Sequence, residues 1–165
     1  PVLEYAKTVG ANFIATNVPR RYASMVYRGG FEALDSLSEQ EKSWIAPLPF
    51  PYDATLPGYV AMLEMMGGHG GENFPKAQAI KDATMGYFIA ESVKDKKNPL
   101  FLHLNGSYHS DNFEGIVWYL QQYAPKLKVM TITTVLEENP KKLTEENRGK
   151  ASYTIAVDAR MTRTY

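Results

Sequence analysis

Residues 105–111 have the residue types and the position of a ligand-binding loop. They read Asn-Gly-Ser-Tyr-His-Ser-Asp and follow an apolar run, residues 100–105, that predicts a buried strand. In open α/β sheets, ligands bind beyond the carboxyl ends of the strands, and this order places Tyr108 and His109 there. Imidazole and phenol can ligate iron or form hydrogen bonds, and Gly106 permits a close approach of the backbone. The alternative is a turn whose histidine bonds a local backbone group.

Three other segments contain candidate binding groups. Arg20 follows a predicted short strand, residues 12–16, and could hold carboxylates, with a surface cation as the alternative. His69 has glycines on both sides, so it is free to project toward a ligand or a partner chain, with an exposed loop residue as the alternative. His103 alternates within its predicted strand, and we expect a hydrogen-bonded core histidine there.

A long helix, predicted from residue 76 to about residue 94, carries polar side chains beside an apolar stripe. The apolar positions recur every three or four residues, as in a helix that packs on a core. Gln78 and Asp82 form a polar face beside that stripe. Such a face either lines a site or faces solvent, and the solvated face is the expectation here.

Composition and absent motifs exclude several classes of function. Eighteen basic residues balance eighteen acidic ones, so no overall positive field favours nucleic acid. Without cysteine, the chain has no disulfide, thiolate metal site or cysteine nucleophile. Glycine-rich nucleotide loops, His-Glu-x-x-His and Gly-x-Ser-x-Gly do not occur, which counts against nucleotide enzymes, zincins and serine hydrolases.

The pattern of elements predicts an α/β fold with an open, mainly parallel sheet flanked by helices. Strands are expected at residues 12–16, 100–105, 129–136 and 153–157, with helices between them. Ser38 and Glu41 have the spacing of a capping box that begins a helix over residues 39–45. Four prolines between residues 47 and 57 favour a loop there, and residues 45–95 are expected to form a small inserted helical subdomain.

Four short motifs occur along the chain in this order: Asn17-Val18-Pro19-Arg20, Gly29-Gly30, Ala77-Gln78-x-x-Lys81-Asp82-x-x-Met85 and Gly106-x-x-His109. In their order and spacing they resemble the ChaN family of haem-binding, iron-regulated lipoproteins. The likeness extends over nearly the whole chain, so residues 1–165 are interpreted as part of a ChaN-like α/β domain. The wider grouping includes Tiki-type metalloproteases, TraB-like proteins and erythromycin-esterase-like hydrolases, which are similar in keeping a Gly-x-x-His element.

The resemblance implies a haem-binding protein of bacterial iron acquisition. Its haem would lie in a homodimer, with a tyrosine on each iron, and the expected candidates are Tyr108 first and Tyr87 second. For the haem propionates the resemblance suggests His69 with Lys76 or Lys81. It also implies an outer-membrane-anchored lipoprotein of the cell envelope, working with a haem or iron receptor system.

The chain departs from the family pattern at its start. Family members carry a Gly-Glu-x-His-type element after their first strand, and residues 1–165 contain no counterpart. Because residues 1–7 have no initiator Met and run straight into a helical pattern, we expect that an upstream segment was removed, with any lipid-anchoring cysteine in it. With that element restored, the alternative function is a metal-dependent or acid/base hydrolase in which His109 takes part. The identity of any metal stays open.

Overall fold

The computed structural model describes residues 1–65 and 71–162. Helices dominate this part of the chain, and two strands follow them near its end. The long helix and the last two strands lie within a few residues of their predicted bounds. The helices are α1 (Val2–Thr8), α2 (Arg20–Gly29), α3 (Glu39–Lys42), α4 (Pro57–Met65), α5 (Asn73–Val93) and α6 (Ile116–Tyr123), and the strands are β1 (Ile132–Glu137) and β2 (Tyr153–Asp158).

Helix α5 is the central element, because α2 and α6 both pack along it. Its long run of apolar and small side chains is buried on almost all sides, as expected for a helix enclosed by others. The C-terminal end of α2 lies against the start of α5, where the rings of Tyr27 and Phe74 meet edge to face at 6.3 Å. The other end of α2, at Arg20, shares a groove with Lys81 further along α5. The two helices therefore run in opposite directions.

The capping box at α3 is confirmed. The Glu41 amide donates to the Ser38 hydroxyl at 3.4 Å, and the Ser38 amide donates to the Glu41 carboxylate at 3.0 Å. The helix is shorter than predicted, however. The amides of Trp44 and Ile45 bond the carbonyls three residues before them, which tightens the chain into a turn.

The sheet of the described residues is smaller than predicted. Strands β1 and β2 pair in parallel, with Ile132 opposite Tyr153. The predicted strands at residues 12–16 and 100–105 are wrong, because neither segment joins this ladder. A hydrogen bond of 2.7 Å between Thr16 Oγ1 and His103 Nε2 joins the two segments through side chains instead. Their apolar side chains are largely exposed, and Leu100 is 97% accessible.

The fold is accordingly a mixed helical and strand structure with a small parallel sheet. Both α4 and α5 fall almost wholly within residues 45–95, and the inserted subdomain stays a prediction. Across residues 1–65 and 71–162, no helix combines the length and apolar character needed to cross a bilayer.

Candidate functional site

A hydrogen-bonded aspartate–histidine pair joins α5 to the loop before α6. Asp82 Oδ1 lies 2.5 Å from His109 Nδ1, and the aspartate is only 1% exposed. The expectation that Asp82 faces solvent is therefore wrong, because the loop folds over that face of α5. His109 retains 19% exposure of its side chain, so its ring is only partly buried.

Two other side chains complete the surroundings of this pair. Gln78, one helical turn before Asp82, places Nε2 at 2.8 Å from His109 Nδ1, and the Tyr59 hydroxyl donates to Asp82 Oδ2 at 3.4 Å. A ring nitrogen cannot donate to a carboxylate and accept from an amide at once. Where Nδ1 carries the proton and donates it to Asp82, Nε2 of the neutral ring is a proton acceptor or metal ligand.

Burial controls the electrostatics of the pair. It raises the pKa of Asp82, and the hydrogen bond and charge of His109 oppose that rise. Burial also raises the pKa of Tyr59 far above its usual range, and the nearby Asp82 charge adds to the effect. Tyr59 therefore stays a phenol that can donate its hydroxyl proton to the carboxylate.

The backbone of Gly115 supports His109 from behind. Gly115 has φ of +53° and ψ of −121°, a conformation that side chains avoid. A Cβ atom there would lie 2.5 Å from the carbonyl oxygen of His109 and 3.3 Å from Cγ of Asp82. The neighbouring Glu114 accepts a 2.7 Å hydrogen bond from the amide of Gly58, which ties this turn to the start of α4.

Gly106, in the same loop, differs from Gly115 in its backbone conformation and surroundings. Gly106 has an ordinary extended backbone, with φ of −66° and ψ of 143°. A Cβ atom at Gly106 would meet nothing within 4 Å. That Gly106 permits a close approach of a ligand to the backbone stays a prediction.

A groove of about 290 Å³ lies between α2 and α5 on the other side of Gln78. It contains two of the predicted propionate residues, Arg20 and Lys81, and a third cation, Arg28. None of these cations pairs with a carboxylate of the described residues, and no acidic side chain lines the groove. The remaining lining residues are Ala23, Ser24, Tyr27, Phe74, Ala77 and Gln78.

The two tyrosine candidates lie in different surroundings. Tyr108 is in the 3-10 turn Ser107–His109, directly before His109, and is 50% exposed. Tyr87 is half-buried on α5, with its ring against Phe88 and Tyr123 in an aromatic cluster. Tyr108 is therefore the candidate that the structure places beside His109.

The other predicted site residues lie apart from the pair and the groove. Met85 is buried in the packing between α5 and α6, Asn17 is exposed, and Lys76 is half-buried outside the groove. His69 lies outside the described residues. His103 is half-buried and bonds both Thr16 and Asn105, as expected of a hydrogen-bonded histidine, and burial lowers its pKa.

Three residues of the site were missed at the level of sequence. Tyr59 and Gly115 support the pair from α4 and from the turn before α6, and Arg28 extends the groove. Arg28 is two turns after Arg20 on one helix, a spacing that could have suggested a shared face. No short-range signal identifies the other two residues. Within residues 1–65 and 71–162, no three His, Asp or Glu side chains are grouped to hold a metal ion.

The structure thus defines a helix-rich protein with a small parallel sheet, in which a buried aspartate–histidine pair adjoins a cationic groove. A family model described as haem-binding uptake, Tiki superfamily, ChaN matches residues 1–120, a range that includes the pair and the groove and ends before β1. The chain belongs to this family. No curated protein and no solved structure matches it.

Proposed function

We propose that the protein binds haem as part of bacterial haem uptake. The cationic groove between α2 and α5 is the observation that carries this proposal. Three cations without a carboxylate partner among the described residues suit the propionates of a haem. The family match supports the same ligand.

The residues present fit one edge of a haem. A groove of about 290 Å³ is at the lower limit of small-molecule sites, so it suits the propionate edge and leaves most of a porphyrin ring outside. Arg20 and Lys81 would hold a propionate there. Gln78 lines the same groove and contacts His109, the residue after Tyr108.

Tyr108 is the proposed iron ligand. A tyrosine oxygen is an established axial ligand of haem iron, and half of this side chain is exposed. A haem that a groove holds by one edge would also be open to a second protein copy. We therefore include a homodimer in the proposal, with His69 or Lys76 as the contacts from the second copy, at an outer-membrane location and with a receptor system as partner.

Titration with hemin tests the proposal. We expect a saturable Soret band with the charge-transfer absorption of a tyrosine ligand. Replacement Tyr108→Phe should remove that absorption, whereas the matched replacement Tyr87→Phe should retain it, because Tyr87 lies in the aromatic cluster. The absence of a Soret change in the unaltered protein would contradict the haem proposal. An unchanged spectrum in Tyr108→Phe would contradict the assignment of Tyr108 as the iron ligand.

The buried pair favours a second candidate function, acid/base hydrolysis. A carboxylate that fixes one imidazole nitrogen leaves the other available to take a proton from water or from a hydroxyl group. Turnover of ester or peptide substrates that is lost in His109→Ala would favour this function over haem binding. An inert protein that binds hemin would exclude it.

A further inference from the structure

The groove between α2 and α5 has a second cationic end that the family motifs do not include. Arg28 lies there with the aromatic rings of Tyr27 and Phe74. Tyr27 is 45% exposed although it is a large aromatic residue. An exposed aromatic side chain beside an arginine can contact the apolar body of an anionic ligand.

The distance between the two ends suits a ligand with two acidic groups. Arg20 and Arg28 are eight residues apart on α2, which corresponds to about 12 Å along the helix axis. Both are long side chains that can turn inward, so their guanidinium groups can approach each other more closely than their backbones do. Lys81 on the facing helix adds to the positive charge of the groove.

Both the charge and the size of the lining side chains bear on which ligand fits the groove. Each guanidinium can bind one carboxylate through two parallel hydrogen bonds. Because the groove has no acidic lining residue, a ligand with two negative charges would meet no local repulsion. The small side chains of Ala23 and Ala77 leave room for a flat apolar edge between the charged groups.

We propose that Arg28 is a specificity-determining residue, which makes the groove select flat apolar ligands with two free carboxylates on one edge. This inference rests on the proposed haem function and deepens it. Recognition depends on the carboxylates, so a metal-free porphyrin with free propionates should also bind. A porphyrin with esterified propionates should bind poorly.

The test compares protoporphyrin IX with its dimethyl ester, which has the same ring but no negative charge. Fluorescence titration of the unaltered chain should give a much weaker affinity for the ester, by about a hundredfold for two lost charged contacts. Arg28→Gln should reduce that ratio by about tenfold, because one carboxylate then has a weaker partner.

Arg21→Gln is the matched control. Arg21 is on the same helix and has the same charge, but its guanidinium stacks over Tyr22 and Trp44 and does not line the groove. This control should leave the ratio of affinities unchanged. Circular dichroism of both variants checks that the helices are retained.

The possible results separate this inference from the haem proposal. Hemin binding with equal affinity for protoporphyrin IX and its ester would overturn the inference and leave the haem proposal standing. Equal effects of Arg28→Gln and Arg21→Gln would overturn the role of Arg28. A chain that binds neither hemin nor protoporphyrin IX would overturn both proposals.

Discussion

Replacement of Gly115 by alanine should destabilise the protein and displace His109. The backbone conformation of Gly115 costs a side chain about 1–3 kcal/mol. The new Cβ would also lie 2.5 Å from the His109 carbonyl oxygen, a backbone atom that cannot rotate away, and such overpacking costs about 1–3 kcal/mol. The smaller entropy of the unfolded chain offsets about 0.4–1 kcal/mol. We therefore expect a net loss of about 3 kcal/mol in the free energy of unfolding.

Urea unfolding followed by circular dichroism measures this loss, and Gly106→Ala provides the control. Gly106 is in the same loop, but its backbone is ordinary and a Cβ there meets nothing within 4 Å. The control should match the unaltered protein or exceed it by about 0.4–1 kcal/mol. Nitrogen NMR of the imidazole should show a changed His109 environment only in Gly115→Ala. If Gly115→Ala were as stable as Gly106→Ala, the argument that a glycine is required behind His109 would be refuted.

Two further predictions concern helix packing and the strand end. Gly86→Ala should destabilise the protein by about 1–3 kcal/mol, because the new Cβ would lie 2.8 Å from Tyr119 Cβ on α6. This cost should exceed the gain from the higher helix propensity of alanine. Thermal unfolding measures the change, and a raised melting temperature would contradict the prediction. Glu137→Gln should destabilise the protein at pH 7, since hydrogen bonds from the Thr144 backbone, then Asn147, lower the pKa of Glu137. That stabilisation is present above the ordinary pKa of about 4.3 and is lost as the pH falls through the lower folded value. In urea unfolding, the difference from the unaltered protein should therefore hold from pH 7 to about pH 5 and shrink below about pH 4. A difference that grows toward acid pH would show the opposite linkage.

Elements with a local signal could be predicted from the sequence. The capping box at Ser38 depends on residues three positions apart, and the structure confirms it. The parallel pairing of β1 and β2 agrees with the mainly parallel sheet that was predicted. Residues 100–105 have an equally apolar composition but join no ladder among the described residues. Apolarity indicates a capacity for burial, whereas a ladder needs a neighbouring strand with free hydrogen-bonding groups.

Candidate site residues could be named from the sequence only where the signal lies within a single loop or a single helix. His109 and Arg20 were named as candidates because each follows a predicted strand. Neither strand belongs to the sheet of the described residues, and the roles of the two residues stay predictions. Asp82 was expected in solvent, since its burial depends on a loop almost thirty residues later in the chain. Gly106 and Gly115 cannot be distinguished by sequence, because a glycine letter does not reveal the sign of φ. Features that depend on residues close together in the sequence could therefore be predicted, whereas features that depend on residues far apart in the sequence could not.

Both candidate functions involve the Gly-x-x-His motif that contains His109. The geometry suggests how this motif can serve either hydrolysis or haem binding. Gly115 supports the histidine from behind, and Asp82 fixes its ring, so the turn that carries it is held on a rigid helix. In a hydrolase, this rigidity would aim Nε2 at a substrate. In the proposed haem protein, the same rigidity would hold the preceding residue, Tyr108, at a fixed position, because its neighbour His109 contacts Gln78 of the groove. A haem protein can therefore retain a Gly-x-x-His element for the placement of its iron ligand, without any need for the histidine to transfer a proton.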